Sequence, residues 1–169
     1  MKSRYNDFTV SLPFTFRPPK EGNLPRPQTQ VLFNFDYSGN PLIASPEFSM
    51  TGSAEYEVPL GELWGRPLGS LTPRFSFTWR SDAFFDASSG RGALINFPKG
   101  TFGQPAYWVL NSALTWRSED KRFELVGWVR NLTNTYYKTQ SFDLTRGTQL
   151  IEDAYADPRT YGLTATFNF

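Results

Sequence analysis

The 169-residue chain contains no cysteine and no histidine. Without cysteine no disulfide framework exists, and without either residue type the commonest zinc ligands and the usual imidazole acid or base are gone. No catalytic residue, cofactor site or metal site is expected. Charge of one sign is also missing: 17 basic residues face 16 acidic ones for a net +1, so nothing suggests bulk attraction to nucleic acid. Long hydrophobic runs are absent as well. None reaches the roughly 18 consecutive apolar residues of a membrane-spanning helix. The opening MKSRYNDFTV has no apolar centre of a signal peptide, so the sequence as written shows no evident way to leave the cytoplasm.

Aromatic residues are plentiful: 16 Phe, 8 Tyr and 5 Trp make up 17% of the chain, whereas hydrophobic residues in total reach only 39%. That total is low for a large soluble core. The placement of the aromatics is regular, because they recur at every second position, the period of a strand with one oily and one wet face. In the last ten residues, Tyr161, Leu163, Ala165, Phe167 and Phe169 alternate with Thr160, Gly162, Thr164, Thr166 and Asn168. Upstream, Phe48, Met50, Gly52, Ala54, Tyr56 and Val58 alternate with serine, threonine and glutamate. Leu71, Pro73, Phe75, Phe77 and Trp79 likewise alternate with Thr72, Arg74, Ser76, Thr78 and Arg80. Residues Tyr107 to Arg117 set Trp108, Leu110, Ser112, Leu114 and Trp116 against Tyr107, Val109, Asn111, Ala113 and Thr115. In Arg122 to Asn131, Phe123, Leu125, Gly127 and Val129 oppose a face that Val126 and Trp128 make less polar.

The connections between these strands alternate in length. Residues 1–46 read as a strand stub followed by a long loop of hairpin character, in which Pro18, Pro19, Pro25 and Pro27 rule out central strands. Residues 60–69 (LGELWGRPLG) are a short connection, 81–106 a long one without regular period, 118–121 a tight turn and 132–159 another long segment. Short turns at one end and long loops at the other match outer-membrane barrels. With the C-terminus placed on the periplasmic side, Tyr56, Trp116, Phe123, Phe167 and Phe169 fall at the lower strand ends. Trp79, Tyr107, Trp108 and Tyr161 fall at the upper ends, giving two aromatic girdles. The expected fold is all-β: an antiparallel transmembrane β-barrel segment of about five to six up-and-down strands, an incomplete barrel.

Thr160, Gly162, Ala165, Phe167 and the terminal Phe169 resemble the sorting signal on the last strand of Gram-negative outer-membrane barrels, read by the barrel-assembly machinery. The segment RNLTNTYY at 130–137 resembles the Asn-Leu-(Phe or Thr)-Asp-x-x-Tyr stretch near the end of TonB-dependent receptors, with Asn134 where that family usually has Asp. YWVLNSALTWRSEDKRFELVGWVRNLTN and the closing RTYGLTATFNF follow the family's last three strands in order. SGNPLIASPEFSMTGSAEYEVPL resembles its segment entering an earlier strand. The resemblance implies the C-terminal part of such a receptor across residues 1–169, with 1–46 a stub and extracellular loop and 47–169 five barrel strands. It implies outer-membrane localisation and energy-coupled uptake of a ferric siderophore or similar bulky solute. The implied partners are outer-membrane lipid, the assembly machinery, the rest of the barrel and its plug, with TonB reached only through an N-terminal part that has no counterpart here. Such receptors resemble plugged barrels of 22 strands, so this chain alone is not expected to form a working pore.

Glu55, Glu57, Arg74, Arg80 and Arg130 fall on the lumen-facing positions, where they contact a plug or passing solute or are simply wetted. Phe84, Phe85, Phe102, Tyr136 and Tyr137 lie in or beside the long loops as ligand contacts or as upper-girdle residues. Glu152, Asp153 and Asp157 share one loop at no recognised calcium spacing and read as solvated. Gly90, Gly92, Gly100 and Gly103 form no phosphate-binding fingerprint because no helix follows, and the sequon Asn131-Leu132-Thr133 is coincidental in a bacterial barrel. Two rival readings are a self-contained small outer-membrane barrel with a structural or adhesive role, and a soluble β-sandwich binding module whose oily faces bury each other.

Overall fold

The computed structural model describes residues 4–16, 29–88, 100–144 and 150–169; Pro18, Pro19, Pro25, Pro27, Gly90 and Gly92 lie outside them. In chain order the strands are β1 (Thr9–Phe16), β2 (Thr29–Asp36), β3 (Ser49–Glu55), β4 (Val58–Pro59), β5 (Glu62–Leu63), β6 (Arg66–Pro67) and β7 (Ser70–Arg80). There follow β8 (Ala83–Phe84), β9 (Gly103–Gln104), β10 (Tyr107–Arg117), β11 (Phe123–Arg130), β12 (Lys138–Leu144), β13 (Leu150–Tyr155) and β14 (Thr160–Phe167). No helix occurs among the described residues. The fold is all-β, and the described strands pair antiparallel, with one isolated parallel bridge between Ile43 and Phe84.

The main sheet runs β14-β11-β10-β7-β3, with β4 also on β7, and it is open at both edges. Its register sorts the side chains as the period of two requires. Trp79 pairs with Trp108, Leu71 with Trp116, Trp116 with Leu125 and Leu125 with Ala165, so one face is continuously apolar across four strands. Met50 beside Trp79 and Ala54 beside Phe75 extend that face onto β3. Aromatic clusters mark both of its ends: Trp79 lies 6.0 Å from Trp108, and Phe123 lies 4.9 Å from Phe167. Tyr107 departs from the girdle expected for it. Its pairing with Arg80 puts it on the polar face, and its ring stacks on Tyr137 at 4.2 Å.

Among the described residues no second sheet covers the oily face. Among the described residues only Tyr37 and Phe102 are buried hydrophobics, while Phe75, Trp108, Leu114, Phe123, Tyr161, Leu163 and Phe167 are exposed. The accessible surface of 12778 Å² compares with about 8,500 Å² for a compact monomer of this mass.

Three connections hold structure of their own, among them the stretch before β3 that the sequence already marked as hairpin-like. The long segment 132–159 contains the β12–β13 hairpin, and residues before β3 contain the β1–β2 hairpin, neither of which joins the main sheet. The short connection 60–69 continues the β3–β7 ladder through β5–β6 to a two-residue turn at Trp64 and Gly65. Both turn residues have positive φ, 52° and 70°, the mirror-image geometry that matches strand twist. At the base of this ribbon, Gly69 at φ 80° leaves no room for a side chain: a Cβ would lie 1.9 Å from the Arg117 carbonyl oxygen.

Candidate functional site

The polar face carries the charges. Register places Arg74, Ala113, Trp128 and Gly162 on one level, and Ser76, Asn111 and Arg130 two residues above. Arg80 lies six residues above Arg74 on β7, roughly 20 Å at strand rise. Arg74 has one loose ionic contact, to Glu55 at 3.8 Å. Arg130 lies over the Trp128 ring, 5.2 Å from its centroid, a cation–π position. Among the described residues no carboxylate pairs with Arg80 or Arg130. Glu57 sits below, near Arg117, which is itself bonded to Glu124 at 2.9 Å. Ascending the face therefore means passing from ion-paired to unpaired guanidinium groups, with the Asp157 carboxylate in the same lining as Arg130.

Two basins open along the upper part of this track. The higher, of about 380 Å³, is lined by Arg80, Phe85, Gln104, Tyr107, Tyr137 and Lys138. The lower, of about 420 Å³, includes Asn111, Arg130, Asn131, Tyr155 and Asp157. The walls of the upper one combine cations, stacked phenols and an amide, which suits a bulky anionic or aromatic solute, whereas the lower one adds the Asp157 carboxylate. Burial, then the adjoining Tyr107, pushes the Tyr137 phenol above its ordinary value, so it remains a neutral hydrogen-bond donor at physiological pH.

The RNLTNTYY segment builds the floor between the basins. Asn131, buried and at φ 51°, turns the chain off β11. Its backbone N–H donates to the Asn111 side chain at 3.0 Å, and its amide nitrogen donates to the Thr135 and Asp157 carbonyls at 2.9 and 3.2 Å. Its amide oxygen accepts the Thr135 N–H at 2.8 Å. Asn134, also at positive φ, accepts the Arg159 N–H at 2.9 Å through its carbonyl oxygen. A carboxylate would do the same, so Asn in place of Asp keeps the bond. This knot holds Tyr137 against Tyr107. Composition alone could not single it out; the signals were the motif resemblance of RNLTNTYY and two asparagines three apart beyond a strand end.

Lys138 ties the loops together. Its backbone N–H donates to Gln104 Oε1 at 2.6 Å, and its ammonium donates to the Thr101 carbonyl at 3.1 Å and pairs with Asp153 at 2.7 Å. Asp153 also accepts the Ser141 hydroxyl at 2.6 Å. Asp153 is thus joined to a lysine, and its companions Glu152 and Asp157 are exposed; among the described residues no three potential ligands cluster for a metal.

The aromatic loop residues separate. Tyr137 lines the basins, as does Phe85 for the upper one. Tyr136 is exposed and stacks on Tyr155 at 4.2 Å. Phe84 sits half-buried in the β8–β9 clasp, bridged to Ile43. Phe102 is only 3% exposed, a packing residue beneath the clasp with no surface to offer a solute. Of the terminal-strand residues, Thr160 pairs with Arg130, Gly162 with Trp128, Ala165 with Leu125 and Phe167 with Phe123, and Phe169 is fully exposed.

No protein-family model and no curated protein matches the chain. Among solved structures, the chain is similar to the crystal structure of the ferric yersiniabactin uptake receptor FyuA from Yersinia pestis. The TM-score is 0.62 at 20% identity, over 83% of this chain and 20% of that one. The likeness is one of fold, and the chain spans about a fifth of that receptor's length.

Proposed function

We propose that the chain is a wall segment of a TonB-dependent outer-membrane receptor, serving energy-coupled uptake of a ferric siderophore or a comparable bulky solute. The observation that carries this reading is the open main sheet: an uncovered aromatic face on one side and an ascending track of arginines on the other. Lipid suits the first face, and an anionic metal chelate suits the second. The segment does no chemistry on the solute. Residues 47–169 supply the wall, β14 carries the signal read by the assembly machinery, and Arg80, Arg130 and Tyr137 meet the solute from loop and lumen. Plug, earlier strands and the TonB contact belong to other parts of the receptor.

Strand direction supports a segment over a self-contained barrel. In the order β14-β11-β10-β7-β3 the two edge strands are first and fifth, so they point the same way. Closing them on each other would make a parallel pair, whereas barrels of this kind are antiparallel and start at about eight strands. The uncovered oily face equally disfavours the soluble sandwich.

The test is refolding of the purified chain with and without detergent micelles, following β content by circular dichroism and size by scattering. The expected outcome is β structure only in detergent, without a discrete compact, heat-modifiable monomer. A monomeric β fold in plain buffer would overturn the membrane reading, and a compact heat-modifiable monomer in micelles would favour the small closed barrel.

A further inference from the structure

Lys138 belongs to two structures at once. It lines the upper basin, where it and Arg80 are the cations and no carboxylate is present among the described residues. It also opens β12, the first strand of a hairpin that stands apart from the main sheet. Twice it ties that hairpin to the β8–β9 clasp: its backbone N–H donates to Gln104 Oε1, and its ammonium donates to the Thr101 carbonyl. A β-bulge between Lys138 and Gln140 shifts the register there, the device by which a strand re-aims a side chain.

An ammonium carries three N–H donors. Asp153 of β13 takes one at 2.7 Å and the Thr101 carbonyl another at 3.1 Å, which leaves one for a group in the basin. The side chains of the ion pair are only 18% and 23% exposed, so water and salt screen it less than a surface pair. An anion seated beside Arg80 and bonded to the third N–H shares one ammonium with the Asp153 carboxylate, and the two like charges repel. Asp153 has another partner at hand in the Ser141 hydroxyl at 2.6 Å, so separation from Lys138 leaves it hydrogen-bonded.

We propose that Asp153 is an autoinhibitory contact: it holds Lys138 as an internal competitor of an anionic solute, and an anion arriving between Lys138 and Arg80 displaces it and loosens the β12–β13 hairpin. The inference rests on the solute-binding reading above and adds the regulation of that site. Such coupling is reciprocal, so the protection that the hairpin loses on anion binding reappears as tighter anion binding when residue 153 carries no charge.

The experiment uses the full chain refolded in detergent micelles and phthalate, a small aromatic dianion, with benzamide at matched ionic strength as the uncharged control. Phthalate affinity is read by isothermal titration, and the hairpin by hydrogen exchange of the β12 and β13 amides. Saturating phthalate is expected to speed that exchange about fivefold or more while β7 and β10 stay protected, and benzamide to leave both unchanged. Asp153→Asn should bind phthalate about fivefold more tightly. Lys138→Met should bind it more weakly, and its hairpin should not respond. If phthalate binds the parent and Asp153→Asn equally, or binds without speeding hairpin exchange, the autoinhibitory contact is overturned and the anion basin stands. Hairpin exchange that quickens equally in Lys138→Met is a general salt effect and overturns it as well. If phthalate binds neither the parent nor Asp153→Asn, the basin is no anion site, and the solute-binding reading falls with the contact.

Discussion

Asn131 commits both ends of its side-chain amide to backbone partners, in a position that only a few residue types tolerate. Replacing it with Ala leaves buried carbonyls and an N–H unmatched, a loss of about 2 kcal/mol at the upper rim. Hydrogen exchange should show Thr135 and Leu132 amides losing protection in Asn131→Ala, whereas Asn134→Asp should change little. Asp153 provides a second test at this scale. Burial raises its carboxyl, but the bonds from Lys138 and Ser141 outweigh that and hold it below the ordinary 3.8. A depressed carboxylate contributes its stability fully above the ordinary value and loses it as pH falls through the folded-state value. Protection of the β12–β13 hairpin should therefore be flat above about pH 5 and decline below about pH 4. In Asp153→Asn that acid-dependent decline should vanish.

Among the elements, the β11–β14 pair shows how an edge strand is locked in register. Trp128 lies across Gly162, where a Cβ would meet the indole at 2.5 Å, and the indole N–H reaches Thr164 at 3.3 Å. Gly162→Leu should displace the indole at a cost of about 1–3 kcal/mol, seen as a shift in tryptophan emission and a lower melting point in micelles. Thr164→Val, which removes only the long hydrogen bond, should melt near the parent. Gly69→Ala is more severe, because the obstacle is the Arg117 backbone carbonyl, which cannot swing aside.

The main sheet has two free edges and little buried apolar surface among the described residues, and its parity constrains how it can assemble. Rings of copies held in one membrane orientation would need a parallel β14–β3 contact at each joint, so a complement must add an odd number of strands to restore alternation. A Ser53→Cys/Thr164→Cys double variant, in a chain with no native cysteine, tests this directly. On oxidation in micelles it should remain free of an intramolecular cross-link between the two edges; an efficient one would mean that the chain closes on itself.

Alternation along the chain determined which residues form each wall strand and which face each side chain takes, because a strand's period of two is local and survives any tertiary setting. Even Val126 and Trp128, apolar residues on the wet side of β11, were legible from parity. The polar positions of Arg74, Arg80 and Arg130 followed in the same way. Only the tertiary structure decided what the irregular segments do. The hairpin in 132–159, the ribbon in 60–69, the burial of Phe102, the stacking of Tyr107 on Tyr137 and the Asn131 knot all depend on contacts between residues far apart in sequence. Side chains there are placed by closing loops onto one another, and no local period records that.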